Sequence, residues 1–79
     1  MLSRNARTDF YYSVGSDGYV LLGIFDCLGR EVIRLVDEHA SAGRHDVVWN
    51  VANGIPAGTY FVTLRAGSVS LTRTIVLVK

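Results

Sequence analysis

Apolar and polar residues alternate along most of this chain at the two-residue period of an extended strand. In "YVLLGIFD" (Tyr19–Asp26), Val20, Leu22 and Ile24 share one face. Gly23 points the other way and leaves room for a close neighbour or a bulge. In "HDVVWN" (His45–Asn50), His45, Val47 and Trp49 share a face. "TDFYYSV" (Thr8–Val14), "TYFVTLRA" (Thr59–Ala66) and "VSLTRTIVLV" (Val69–Val78) are rich in aromatic and β-branched residues and read as three more strands. "REVIRLVDE" (Arg30–Glu38) carries two patterns at once. Val32, Leu35 and Val36 fall at helix spacing, while the hairpin turn before the segment and its three β-branched residues favour a strand. Its flanking charges suit the edge of a sheet, where they discourage pairing with other chains.

Turn signals separate these runs. "GSDG" (Gly15–Gly18) is a turn by composition. "DCLG" (Asp26–Gly29) reads as a tight hairpin turn, with Asp26 bonding back to its own backbone and Gly29 supplying a positive φ. "HASAGR" (His39–Arg44) reads as a loop of small residues, and "VANGIPAG" (Val51–Gly58), which holds the only proline, as a long turn. Six strands with a turn about every 8–12 residues and no strong helix predict an all-β fold. The expected architecture is an immunoglobulin-like antiparallel β-sandwich of six to seven strands, built as one domain over residues 1–79. The last strand should turn either Ile75 and Leu77 or Val76 and Val78 to the core, and its edge backbone is available to a partner.

Composition narrows the chemistry. The chain has 79 residues, 49% of them hydrophobic and 19% charged, with a net charge of +1. That charge leaves no electrostatic footprint for nucleic acid or an anionic membrane. A chain this short buries only about 60–65% of its unfolded surface, so its stability is marginal. Cys27 is the single cysteine, which rules out an intrachain disulfide and a thiolate metal site of the usual kind. "MLSRNARTDFYY" has no apolar core of a signal peptide, and no run of 18 apolar residues exists to span a membrane. A role outside the cytoplasm therefore needs an export signal elsewhere in a longer parent chain.

Catalytic patterns are missing. "GSDG" lacks the lysine and the strand–loop–helix setting of a phosphate loop. His39, beside Asp37 and Glu38, reads as part of a solvated acidic turn rather than a zinc site. His45 reads as a partly buried ring with one satisfied nitrogen. No serine has a nucleophile-elbow context, and Cys27 sits at a turn tip where a Cys27–His45 pair has little to support it. The chain is thus expected to be no enzyme, with no cofactor, no metal and no small-molecule substrate. Tyr11, Tyr12, Tyr19 and Tyr60 could form a carbohydrate-binding platform, and they are equally ordinary in a half-buried sheet.

Four stretches in order carry a resemblance. "VLLGIFDCLGREVIRLVDE" (Val20–Glu38), "AGRHDVVWN" (Ala42–Asn50), "IPAGTYFVTLRAG" (Ile55–Gly67) and "TRTIVLVK" (Thr72–Lys79) together resemble the type A C-terminal sorting domain of bacterial type IX secretion cargo. That family reads as an aliphatic strand into a Tyr/Phe-Asp-x-x-Gly-Arg turn, then Gly-x-His-x-Val-x-Trp, then Ser/Ala-Gly-x-Tyr-Phe, then an apolar strand ending in Lys. Phe25, Asp26, Gly29 and Arg30 match the first box. Gly43, His45, Val47 and Trp49 match the second, Gly58, Tyr60 and Phe61 the third, and Lys79 the last. The match covers about 60 residues. The family's Asn-Pro-rich opening is replaced here by "LSRNART" (Leu2–Thr8), which keeps only Asn5 and Thr8 of it.

The resemblance implies a non-catalytic sorting signal of the kind found in the Bacteroidota. Its cargo lies N-terminal to it, passes through the periplasm, and is secreted or attached at the cell surface. The implied partners are the type IX outer-membrane machinery and its signal-processing protease. Asp26, Gly29, Arg30, Gly43, His45, Trp49, Gly58, Tyr60, Val78 and Lys79 are the motif and candidate recognition residues. The glycines, Asp26 and Trp49 each have a fold-maintaining role open to them, while Arg30 and Lys79 are the better candidates for partner contact. The chain is also similar to the immunoglobulin-like module of flagellar hook-capping proteins, a structural alternative. Exposed apolar sheet edges further admit a homodimer.

Overall fold

The computed structural model describes residues 7–51 and 54–78. Six strands account for most of them: β1 (Arg7–Val14), β2 (Gly18–Phe25), β3 (Glu31–Ala40), β4 (Gly43–Asn50), β5 (Gly58–Ala66) and β6 (Val69–Leu77). They form two antiparallel sheets, a pair β1-β4 and a four-stranded sheet in the order β3-β2-β5-β6. The fold is therefore an all-β sandwich with six strands among the described residues. The chain crosses between sheets after β1, β3 and β4, and makes local hairpins at β2–β3 and β5–β6.

The alternation read from the sequence becomes the core. β2 lies between β3 and β5, and its inner residues Val20, Leu22 and Ile24 are 1%, 3% and 0% exposed. Tyr60 and Val62 of β5, Leu77 of β6, Trp49 of β4 and Val51 just after it close the core from both sheets. Burial of such side chains contributes about 1.5–3 kcal/mol each, the main stabilising effect in so small a domain. The phase of β6 is settled in favour of Ile75 and Leu77. Leu77 is buried and Ile75 packs against the core, whereas Val76 is 65% exposed.

β3 resolves its double pattern by bulging. The pairing steps from Leu22↔Val36 to Gly23↔Arg34, and from Ile24↔Ile33 to Phe25↔Glu31. Leu35 and Val32 are thereby inserted into β3, and each insertion resets the side-chain alternation. Val32, Leu35 and Val36 all pack against the core at three- and four-residue spacing, without a helix. Gly23, opposite the first bulge, is crowded. A Cβ there would lie 3.2 Å from Cε1 of Phe25.

Two boundaries differ from the sequence reading. The predicted loop His39–Arg44 shrinks to residues 41 and 42, because Tyr19 and Gly18 of β2 pair with His39 and Ala40 and extend β3. The short turn is tied down: the Ala42 N–H donates to Asp17 Oδ1 at 2.7 Å, and His45 Nε2 lies 2.7 Å from the Ser41 carbonyl. Arg30 closes the β2–β3 turn rather than starting β3, since its carbonyl accepts from the Asp26 N–H at 2.9 Å.

Candidate functional site

β2 ends, β5 begins and β6 ends at the same end of the sandwich. The register fixes this, with Phe25 opposite Phe61 and Gly58 opposite Leu77. The β2–β3 turn is built on Asp26. Oδ1 accepts from the Leu28 and Arg30 backbone N–H groups, both at 2.9 Å, and Oδ2 accepts from Arg30 Nε at 2.9 Å. The Gly29 N–H donates to the Asp26 carbonyl at 3.0 Å, and Gly29 has φ 82°, a left-handed value glycine adopts without strain. These donors, the Arg30 backbone N–H first, hold the Asp26 carboxyl below the usual carboxylate range against the opposing effect of burial. The thiol of Cys27 donates to the Thr59 carbonyl at 3.2 Å and joins the turn to the start of β5.

Behind the turn lies an aromatic brace. The Trp49 and Tyr60 rings meet edge to face, 6.3 Å apart at 73°. The Tyr60 hydroxyl donates to the Pro56 carbonyl at 2.6 Å, which fixes the segment leading into β5. At the surface, Arg30 uses Nε to hold Asp26 while its side chain is 73% exposed. Leu28, Val76 and Val78 are exposed apolar residues at this same end.

Of the ten candidate residues, the fold therefore brings Asp26, Gly29, Arg30, Trp49, Gly58, Tyr60 and Val78 to one end. Trp49 and Tyr60 are core and unavailable for contact. Gly43 and His45 stand at the opposite end, opposite Val14 and Tyr12. His45 is half-buried and stacked on Tyr12, with centroids 5.3 Å apart. Its distance from the turn also separates it from Cys27. Lys79 lies outside the described residues. Leu28 and Val76 were not singled out by sequence reasoning, although an apolar residue at a turn tip is visible in "DCLG".

The four tyrosines share no common face. Tyr11 and Tyr19 are on the outer faces of different sheets, Tyr12 faces inward and Tyr60 is buried. His39 meets Tyr19 edge to face. Nearby, the Tyr19 hydroxyl donates to Asp37, and Arg34 bridges Asp37 at 3.0 Å and Glu31 at 3.1 Å. Hydrogen bonds from Tyr19 and then Arg34 hold Asp37 below its ordinary range. This network covers the outer face of β3. Among the described residues no three His, Cys, Asp or Glu side chains converge on a metal-sized site. No protein-family model matches the chain, and no curated protein or solved structure matches it significantly.

Proposed function

We propose that this domain is a non-catalytic sorting signal, read by the type IX secretion machinery of the outer membrane and carried behind an exported cargo. The observation that carries the reading is the convergence of three separated sequence boxes, Asp26–Arg30, Gly58–Tyr60 and the end of β6, on one end of the sandwich. A recognition surface of this kind needs a rigid frame and an exposed rim. Asp26, Gly29, Gly58, Trp49 and Tyr60 supply the frame, and Arg30, Leu28, Val76 and Val78 the rim. The domain does no chemistry of its own in this account. The machinery binds it in the periplasm, and a signal-processing protease removes it after passage.

A second reading, a structural module that assembles with its own copies, draws support from β6, whose outer edge pairs with no strand among the described residues. One experiment separates the two. The 79-residue domain is fused behind a signal peptide and a fluorescent reporter in a bacterium with type IX secretion. Reporter in the medium or on the cell surface supports the sorting reading. A folded fusion that stays in the periplasm supports the structural module.

A further inference from the structure

The two edges of the four-stranded sheet are built differently. β3 is blunted by Glu31, Arg34, Asp37 and Glu38 and by two bulges. Such charges and bulges are the usual means of preventing strand addition. β6 runs nine residues in unbroken register with β5, and Arg73 is its single charge. Its inner face is also incompletely covered. Leu77 is 7% exposed, whereas Val69 and Leu71, on the same side of the strand, are 51% and 52% exposed. A cleft of about 460 Å³ opens there, between Phe10 and Tyr12 of β1 and Leu71, Arg73 and Ile75 of β6.

We infer that the chain self-associates by antiparallel pairing of β6 with β6 of a second copy. A strand added at this edge must present apolar residues to the inner face at every second position. β6 does so at four of its five inner positions, Val69, Leu71, Ile75 and Leu77, with Arg73 the polar exception among them and Ser70, Thr72, Thr74 and Val76 outside. An antiparallel pair keeps the faces of the sheet, so the half-exposed Leu71 of each copy is covered by the inner side chains of the other. Registers centred away from Arg73 avoid setting like charges opposite each other.

The size of the contact sets the strength. A nine-residue edge is about 30 Å long, and at a sheet depth of about 10 Å it covers on the order of 300 Å² per partner. The flanking apolar strip adds to this, but the total stays below the roughly 800 Å² per partner of a stable interface. The dimer is therefore weak and concentration-dependent. The inference does not depend on the sorting reading.

Sedimentation velocity of the 79-residue chain, from micromolar to millimolar concentration, tests it. Wild type should shift from monomer to dimer. Leu71→Lys should weaken association by on the order of tenfold or more, and Ile33→Lys on the β3 edge should leave it unchanged. Thr72→Lys, on the outward face, gives the same reading if Leu71→Lys fails the circular-dichroism check for folding. A wild-type chain that is monomeric throughout the range would overturn the inference. So would folded β6 variants that dimerise as wild type does, or loss of the dimer in Ile33→Lys.

Discussion

Trp49 and Tyr60 join the two sheets through a single edge-to-face contact, and Tyr60 extends it to the Pro56 carbonyl. Trp49 is only 2% exposed, so its truncation leaves a cavity that so small a core cannot refill. Trp49→Ala should cost about 3–5 kcal/mol. That is comparable with the whole stability expected of a chain this short, and the variant should be unfolded at room temperature. Tyr60→Phe keeps the ring and loses the hydrogen bond, for a cost of about 1 kcal/mol. Urea unfolding followed by tryptophan fluorescence measures Tyr60→Phe, and circular dichroism shows the state of Trp49→Ala.

Asp26 makes the stability depend on pH in one direction. Its folded pKa is depressed, chiefly by the Arg30 backbone N–H, so the unfolded chain binds the proton more readily. The stabilisation is complete above the ordinary carboxylate range and is lost as pH falls through the depressed folded value. Asp26→Asn should lower the melting temperature at neutral pH. The gap from wild type should close as the solution is acidified below that value. Thermal melts of both proteins across an acid series check the sign.

The bulges of β3 predict an unusual substitution pattern. Leu35 and Val36 are adjacent in sequence, and both pack against the core. Leu35→Ala and Val36→Ala should each destabilise by about 1–2 kcal/mol, less than the full burial cost because both sites are half-covered. In a regular strand one of the two would be silent. Ile33→Ala, at a residue 39% exposed, should cost the least of the three. Denaturant midpoints of the three variants decide this.

Gly29, like Gly43, Gly54, Gly58 and Gly67, has a backbone that disfavours other side chains on conformational grounds while leaving space around it. Nothing lies within 4 Å of a Cβ built there, yet its φ is 82°. Gly29→Ala should therefore cost about 1–2 kcal/mol with no steric clash. Gly29→Asn should cost less, because asparagine tolerates the left-handed region. Melting temperatures in that order, glycine above asparagine above alanine, are the expected result.

Local pattern carried much of this fold in the sequence. The alternation of Val20, Leu22 and Ile24, and of His45, Val47 and Trp49, named the inner faces correctly, and "DCLG" specified both the Asp26 cap and the positive φ of Gly29. The rest depended on pairings between distant segments. Val32, Leu35 and Val36 look helical until β2 is known to lie beside them and to impose two bulges. Small polar residues at 39–44 signal a loop, but the register with Tyr19 and Gly18 claims His39 and Ala40 for β3. The phase of β6 was open because both of its faces are apolar near the end, and only contact with the core distinguishes Leu77 from Val76. That the first and third boxes meet while Gly43 and His45 lie apart is a property of strand order, which no single segment encodes.

The most direct test of the sorting account is secretion of a reporter fused to rim variants that leave the core alone. Arg30→Ala and Val76→Asp change exposed side chains at the convergent end, and Tyr11→Ser changes an exposed one on the outer face of the β1-β4 sheet. Each variant is first checked for folding by circular dichroism. The account predicts that wild type and Tyr11→Ser carry the reporter out of the cell, while folded Arg30→Ala and Val76→Asp leave it in the periplasm. Export of both rim variants at the wild-type level would contradict it.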